Sequence, residues 1–207
     1  MSASSSGMGS LMTGFGGFRG IIQGKTRITL AWLFVLFLGF FSREFPTWPG
    51  MVLCFIGAAL RFWASGYLRK DSRPAVGGPY AYVRNPLYLG TYLMAVGVVW
   101  SIQNLPILVG VTVVFAVLYH FIILDEETKL RKIFGEPYLQ YCKKVPRFFP
   151  KFWKNSAALK KVNPETSHLA YSWEISMKNK SYEAFATFVG AYAWVALCAW
   201  LWQKFGA

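Results

Sequence analysis

From Asn85 to Leu124 the chain runs forty residues without a lysine, arginine, aspartate or glutamate, and at the midpoint stands Asn104-Leu105-Pro106. A bilayer core about 30 Å thick takes about 20 apolar residues in helix, because lipid cannot satisfy an exposed backbone amide. Proline cannot continue a helical ladder easily, and asparagine favours a turn. The run therefore predicts a tight hairpin of two membrane spans, 86–103 and 107–124.

Three further stretches read as spans. Ile28 to Ser42 is short and crosses only if Arg27 and Arg43 snorkel to the interfaces. The second covers 48–64 and carries Arg61 near its end, and the last covers 184–204, with Trp194, Trp200 and Trp202 suited to an interfacial belt. The chain of 207 residues is 55% hydrophobic and 18% aromatic, too apolar for an ordinary soluble domain or a disordered one. Three cysteines, an odd number, give no disulfide framework. The expected fold is an all-α integral membrane protein of about five transmembrane helices with a cytoplasmic helical cofactor-binding region. Residues 1–26, rich in glycine and serine and without the basic n-region of a signal peptide, read as a mobile arm.

The net charge of +13 is unevenly placed. Twenty basic residues fall before the first span, between Arg61 and Arg84, or between Lys129 and Lys180, against Arg43 and Lys204 alone on the other side. That asymmetry predicts a cytoplasmic N-terminus and an external C-terminus in a multi-pass protein. It points to anionic lipid headgroups as the partner of the charge, with no nucleic-acid motif in view. Any chemistry must then come from residues 65–84, residues 125–183 and the adjoining helix ends.

Two segments carry polar signals. The first reads Gly77-Gly78-Pro79-Tyr80-Ala81-Tyr82-Val83-Arg84-Asn85-Pro86-Leu87-Tyr88-Leu89-Gly90. Pro86 suits the first position of a helix and Asn85 its N-cap, which turns a positive dipole end toward the cytoplasmic side. A ligand site and a plain helix start with interfacial tyrosines fit this pattern equally. The second follows the hairpin as His120-Phe121-Ile122-Ile123-Leu124-Asp125-Glu126-Glu127, then a helix over 126–142 with Leu130, Ile133, Phe134 and Tyr138 on one face. Glu127 stands seven residues after His120 and so roughly above it if the helix continues. The alternative is a solvated acidic turn in which Glu127 pairs with Arg131 at i,i+4.

The two segments at this spacing, followed by Val145-Pro146-x-Phe148-x-Pro150, resemble the isoprenylcysteine carboxyl methyltransferase and phospholipid methyltransferase superfamily over about residues 75–150. The resemblance implies S-adenosylmethionine held at the cytoplasmic membrane surface. Carried over by position, it implies Tyr80, Arg84, Asn85 and Tyr88 in one cofactor motif and Glu126, Glu127, Tyr138 and Tyr141 in the other; His120, at the membrane edge and outside those motifs, is a further expected cofactor-binding residue. The carboxyl methyltransferases usually have histidine where this chain has Asn85, whereas asparagine is common in bacterial-type relatives. The location implied is a bacterial inner membrane.

Methyl transfer from a sulfonium is an in-line displacement that requires contact and exclusion of water, and no metal. Arg84 or the Asn85 helix start would hold a carboxylate of the cofactor, and Glu126 or Glu127 its ammonium or ribose hydroxyls. A lipid-like acceptor arriving from the bilayer would be a carboxylate, oriented by Arg147, Lys144 or Arg61, or an amine, deprotonated by Glu127 or His120, with a thiol or a small-molecule acceptor also open. Glu127, Arg147 and Arg84 are the expected catalytic residues. Two other readings are a sterol-reductase-like enzyme using NADPH and a non-catalytic lipid- or partner-binding protein. Residues 151–183 read as a linker, in which Leu169, Trp173 and Met177 form an apolar stripe over 165–178 suited to an interfacial helix.

Overall fold

The computed structural model describes residues 25–69, 74–151 and 171–206. Within them lie seven α-helices and no strand: α1 Lys25–Gly39, α2 Trp48–Ser65, α3 Pro86–Ser101, α4 Leu105–Phe134, α5 Glu136–Lys144, α6 Trp173–Lys178 and α7 Glu183–Phe205. A 3₁₀ turn, Gly78–Ala81, precedes α3. By length and composition α2, α4 and α7 can cross a membrane, and α3 is a shorter apolar helix of 16 residues. The all-helical membrane architecture expected from the sequence is the one observed.

Glycine sets the packing of α2 on α3. Gly50 and Gly57 on one helix face Gly97 and Gly90 on the other, so the antiparallel pair meets backbone to backbone. A β-carbon on Gly57 would stand 2.6 Å from the Gly90 carbonyl oxygen, and one on Gly97 would stand 2.6 Å from the Cys54 amide nitrogen. Association in lipid relies on such close approach, since lipid tails are as apolar as leucine. Around this seam Leu38 of α1, Cys54 and Ala58 of α2, Val99 of α3 and Val195 of α7 make one core. Val109, Val113, Val114 and Val117 of α4 stay exposed, as befits a lipid-facing surface.

The predicted hairpin turn is present. Asn104 caps α4 by accepting the Ile107 N–H at 3.1 Å, and Gln103 takes a positive φ of 57° to reverse the chain. The other end of the hairpin differs from the sequence reading. Instead of one helix to 124 and another over 126–142, α4 continues unbroken to Phe134 and stops at Gly135, whose φ of 60° suits glycine. Pro137 then starts α5 in its first turn. At 1.5 Å per residue, thirty residues span about 45 Å, so the last third of α4 stands clear of a hydrocarbon core of about 30 Å. This extension carries Glu126 and Glu127.

The apolar stripe over 165–178 falls partly outside the described residues, which leave out Leu169 and Ala170. The helix observed is short and begins at Trp173, with the Ser172 hydroxyl accepting the Ile175 N–H. Trp173 is largely exposed and touches Phe62 of α2 with ring centroids 5.2 Å apart. Asn179 donates to the Ser65 and Leu68 carbonyls, so α6 is pinned to the end of α2. The proposed arm, residues 1–26, lies outside the described residues except where α1 begins at Lys25.

Candidate functional site

Glu127 is the focus of the polar segments. It is 2% exposed, and its carboxylate meets guanidinium groups from three separate parts of the chain. Arg84, just before α3, places Nη1 2.9 Å from Oε1. Arg147, beyond α5, donates through Nε to Oε1 and through Nη2 to Oε2, both at 3.1 Å, a forked geometry that only arginine offers. Arg131, one turn along α4, brings Nη2 to 3.6 Å from Oε2. The i,i+4 pair read from the sequence is therefore real, and it is the longest and most exposed of the three contacts.

Backbone bonds hold the two segments side by side. The Arg84 N–H donates to the Pro146 carbonyl at 2.9 Å and the Lys151 N–H to the Tyr82 carbonyl at 3.0 Å. Asn85 occupies the N-cap position of α3 but does not cap it; its Nδ2 donates to the Arg147 carbonyl at 3.0 Å. Tyr141 of α5 donates to the Tyr80 carbonyl at 2.8 Å. Residues 146–151 thus form a strap across residues 80–85. Beneath it Val76, Tyr138, Tyr141 and Val145 form a small second core, with Leu130 and Phe134 packed on it and Ile133 exposed.

The phenols of Tyr80, Tyr138 and Tyr141 are all pushed above the ordinary tyrosine value of 10 by burial, so they remain neutral donors in the folded protein. The Arg147 guanidinium is pushed up as well, chiefly by its hydrogen bond to Glu127. Arg84 Nε is buried without a hydrogen-bond partner, although its Nη1 is engaged. One acceptor could still be placed there.

Glu126 and Glu127 are neighbours in sequence with opposite fates. Successive helical side chains diverge by 100°, so Glu126 is exposed and its Oε2 accepts the Tyr88 hydroxyl at 2.7 Å. Tyr88 also meets Tyr119 of α4 edge-on, which ties the starts of both motifs together. His120 is exposed with its ring beside Phe121, outside the Glu127 network. Arg61 crosses Gly90 to bond the Leu87 carbonyl and the Thr91 hydroxyl on α3. Among the described residues no cluster of three or more histidine, cysteine or acidic side chains is placed to hold a metal ion.

Two features escaped the sequence reading. The seven-residue spacing of Gly50 and Gly57, matched by Gly90 and Gly97, was a visible signal for the close α2–α3 seam. The strap's pairing with residues 80–85 had no local signal, because its partners lie about sixty residues apart.

An all-helical membrane protein with a carboxylate–arginine clamp at the end of its long helix is the class these observations define. Residues 50–137 match the family model described as phospholipid methyltransferase, which bears out the resemblance read from the motifs. The cobalt-zinc-cadmium resistance protein CzcN of Cupriavidus metallidurans is 28% identical over 137 residues, 62% of this chain and 63% of that protein. The nickel-cobalt-cadmium resistance protein NccN of Alcaligenes xylosoxydans xylosoxydans is 26% identical over 167 residues, 74% of this chain and 78% of that protein. The protein-S-isoprenylcysteine O-methyltransferase of Schizosaccharomyces pombe is 38% identical over 84 residues, 39% of this chain and 34% of the enzyme. The chain thus matches under two thirds of CzcN and about a third of the yeast enzyme. No solved structure matches the chain significantly.

Proposed function

We propose that this protein is an integral membrane methyltransferase that uses S-adenosylmethionine and modifies a lipidic acceptor, a carboxylate of the isoprenylcysteine type or a phospholipid amine. The observation that carries the reading is the clamp at Glu127, which joins both motif halves into one polar site at the end of an apolar bundle. The family match over residues 50–137 supports it, and the comparisons lend no support to a nicotinamide-dependent reductase. The charge asymmetry supports a cytoplasmic site in a bacterial inner membrane.

The residues present suit the cofactor. Arg84, whose buried Nε lacks an acceptor, would hold its carboxylate, with Asn85 beside it. Glu126 and Tyr88 would hold the ammonium or ribose hydroxyls, and Tyr80, Tyr138 and Tyr141 would wall the adenosine side as neutral phenols. When bound, the cofactor supplies an electrophilic methyl carbon on a sulfonium. Arg147 orients the acceptor, and Glu127 fixes Arg84 and Arg147 relative to each other. A static clamp suits a displacement whose rate depends on alignment. His120, exposed on α4, has no role in this arrangement.

Calorimetry of detergent-purified protein with S-adenosylhomocysteine and with NADPH tests the proposal. Binding of the homocysteine compound alone, weakened at least tenfold by Asn85→Ala and by Glu127→Ala, is expected. Binding of NADPH alone would replace the reading with a reductase, and binding of neither would leave a non-catalytic membrane protein.

A further inference from the structure

The end of the bundle away from Glu127 has a groove of its own. α1 and α7 meet there at Gly39, where a β-carbon would stand 2.6 Å from Trp194 Nε1 and 2.7 Å from Cys198 Sγ. α1 ends at that glycine, and the Phe40, Phe41 and Ser42 N–H groups donate to the Phe37, Leu38 and Gly39 carbonyls as the chain leaves the helix. α7 runs on past Cys198 to Phe205, about 10 Å of rise with no turn of α1 beside it. The wedge left between them holds about 420 Å³ and is walled by Leu36, Phe40 and Leu201 and by the rings of Trp202 and Phe205.

Two features say what fills it. The first is that the wedge offers little to water. The Ser42 hydroxyl and the Trp194 indole in its lining already serve the backbone, donating to the Val195 carbonyl at 3.0 Å and the Leu36 carbonyl at 3.4 Å. An enclosed water needs several polar partners, and hydrocarbon needs none. The second is the rim. Arg43 and Lys204 are each held on a ring that lines the wedge, the Arg43 guanidinium carbon 4.8 Å from the centre of Trp202 and Lys204 Nζ 5.3 Å from that of Phe205. Both cations are exposed, and a guanidinium over a ring face keeps its N–H fork for a phosphate. Among the described residues Glu44, next to Arg43, is the acid of this end, so two cations stand against one anion.

We propose that the wedge between α1 and α7 binds one anionic phospholipid of the leaflet opposite the clamp, with an acyl chain against Gly39 and Leu201 and its phosphate between Arg43 and Lys204. A zwitterionic choline lipid is disfavoured because its head sets a third cation beside these two. α1 and α7 both lie outside the matched residues 50–137, so the site stands apart from the methyltransferase reading. The bound lipid fills the gap that α1 leaves beside the last turns of α7 and joins the two helices.

The test uses the purified full chain in dodecylmaltoside, titrated with palmitoyl-oleoyl-phosphatidylglycerol or with the phosphatidylcholine of the same chains, and native mass spectrometry counts the lipids retained. Basic residues at the other end of the bundle also attract anionic lipid, so the reading is the difference between the parent chain and each variant. Arg43→Gln and Lys204→Gln are each expected to weaken one bound phosphatidylglycerol about fivefold, and the double variant to lose it. Leu36→Trp, which fills the wedge from an exposed position, should lose the same lipid. The parent chain should retain phosphatidylcholine about fivefold more weakly or worse, and the double variant should hold the two lipids alike. Equal retention of both lipids by the parent chain overturns the proposal, as does a lipid count unchanged in the double variant and in Leu36→Trp. A mass of two chains without that lipid overturns it too and gives the wedge to a second copy. If Leu36→Trp fails to fold, the double variant, altered only at exposed side chains, still decides.

Discussion

Replacing Glu127 by glutamine keeps the shape of the side chain and removes its charge, and the clamp geometry fixes the size of the effect. Arg84 has only 11% of its side chain exposed, so its lost partner leaves a cation largely out of water; breaking such a buried pair costs about 3–5 kcal/mol. Arg147, at 35%, and Arg131, at 47%, recover hydration, and the Arg131 contact is worth at most about 0.5 kcal/mol. The amide oxygen of glutamine still accepts one hydrogen bond, so the net expectation is a loss of about 3 kcal/mol. In a chain of this size that lowers the melting temperature by roughly 6–12 °C. Glu126→Gln is the control: its carboxylate is exposed and accepts the Tyr88 hydroxyl, so its cost should stay under about 1 kcal/mol. Detergent-solubilised protein followed by intrinsic fluorescence on heating measures both. Equal shifts for the two variants, or a Glu127→Gln shift under about 2 °C, would refute the view that this clamp holds the two segments together.

The glycine seam predicts that Gly57→Ala and Gly97→Ala each cost about 1–3 kcal/mol, because each new methyl meets backbone rather than a movable side chain. Gly110→Ala, with open space around it on α4, should be neutral or stabilising by up to about 1 kcal/mol; thermal shifts of the three variants compare them. The buried phenols predict alkaline sensitivity. Their folded values lie above the ordinary 10, so the stability they contribute is complete below pH 10 and is lost as pH rises beyond it, by up to about 1.4 kcal/mol per pH unit for each phenol. Urea or SDS titrations between pH 9 and 11.5 should show this slope, reduced in Tyr138→Phe.

Much of the fold was legible because its determinants are local. An uncharged run must find lipid or core, Asn104 and Pro106 must turn a helix, and Pro86 must begin one, whereas the break at Gly135 and Pro137 was read through as a single helix over 126–142. The charge asymmetry and the two motif segments are likewise written in linear order. The sequence also pointed to Arg84, Glu127 and Arg147 and offered Glu127 with Arg131 as an i,i+4 pair, without saying that Arg84 and Arg147 meet Glu127.

Tertiary structure decided the rest. Whether Glu126 or Glu127 is buried depends on which side of α4 receives the strap, and nothing within a few residues of either one encodes that. Asn85 forgoes its own helix to bond Arg147 because the strap brings a carbonyl within reach. His120, seven residues from Glu127 and on nearly the same helical face, is exposed with its ring beside Phe121, while the core that α5 builds takes in Leu130 and Phe134 higher on α4. Helical periodicity fixes the direction of a side chain, but the partner it meets comes from chain tens of residues away, and only the folded packing brings that partner in.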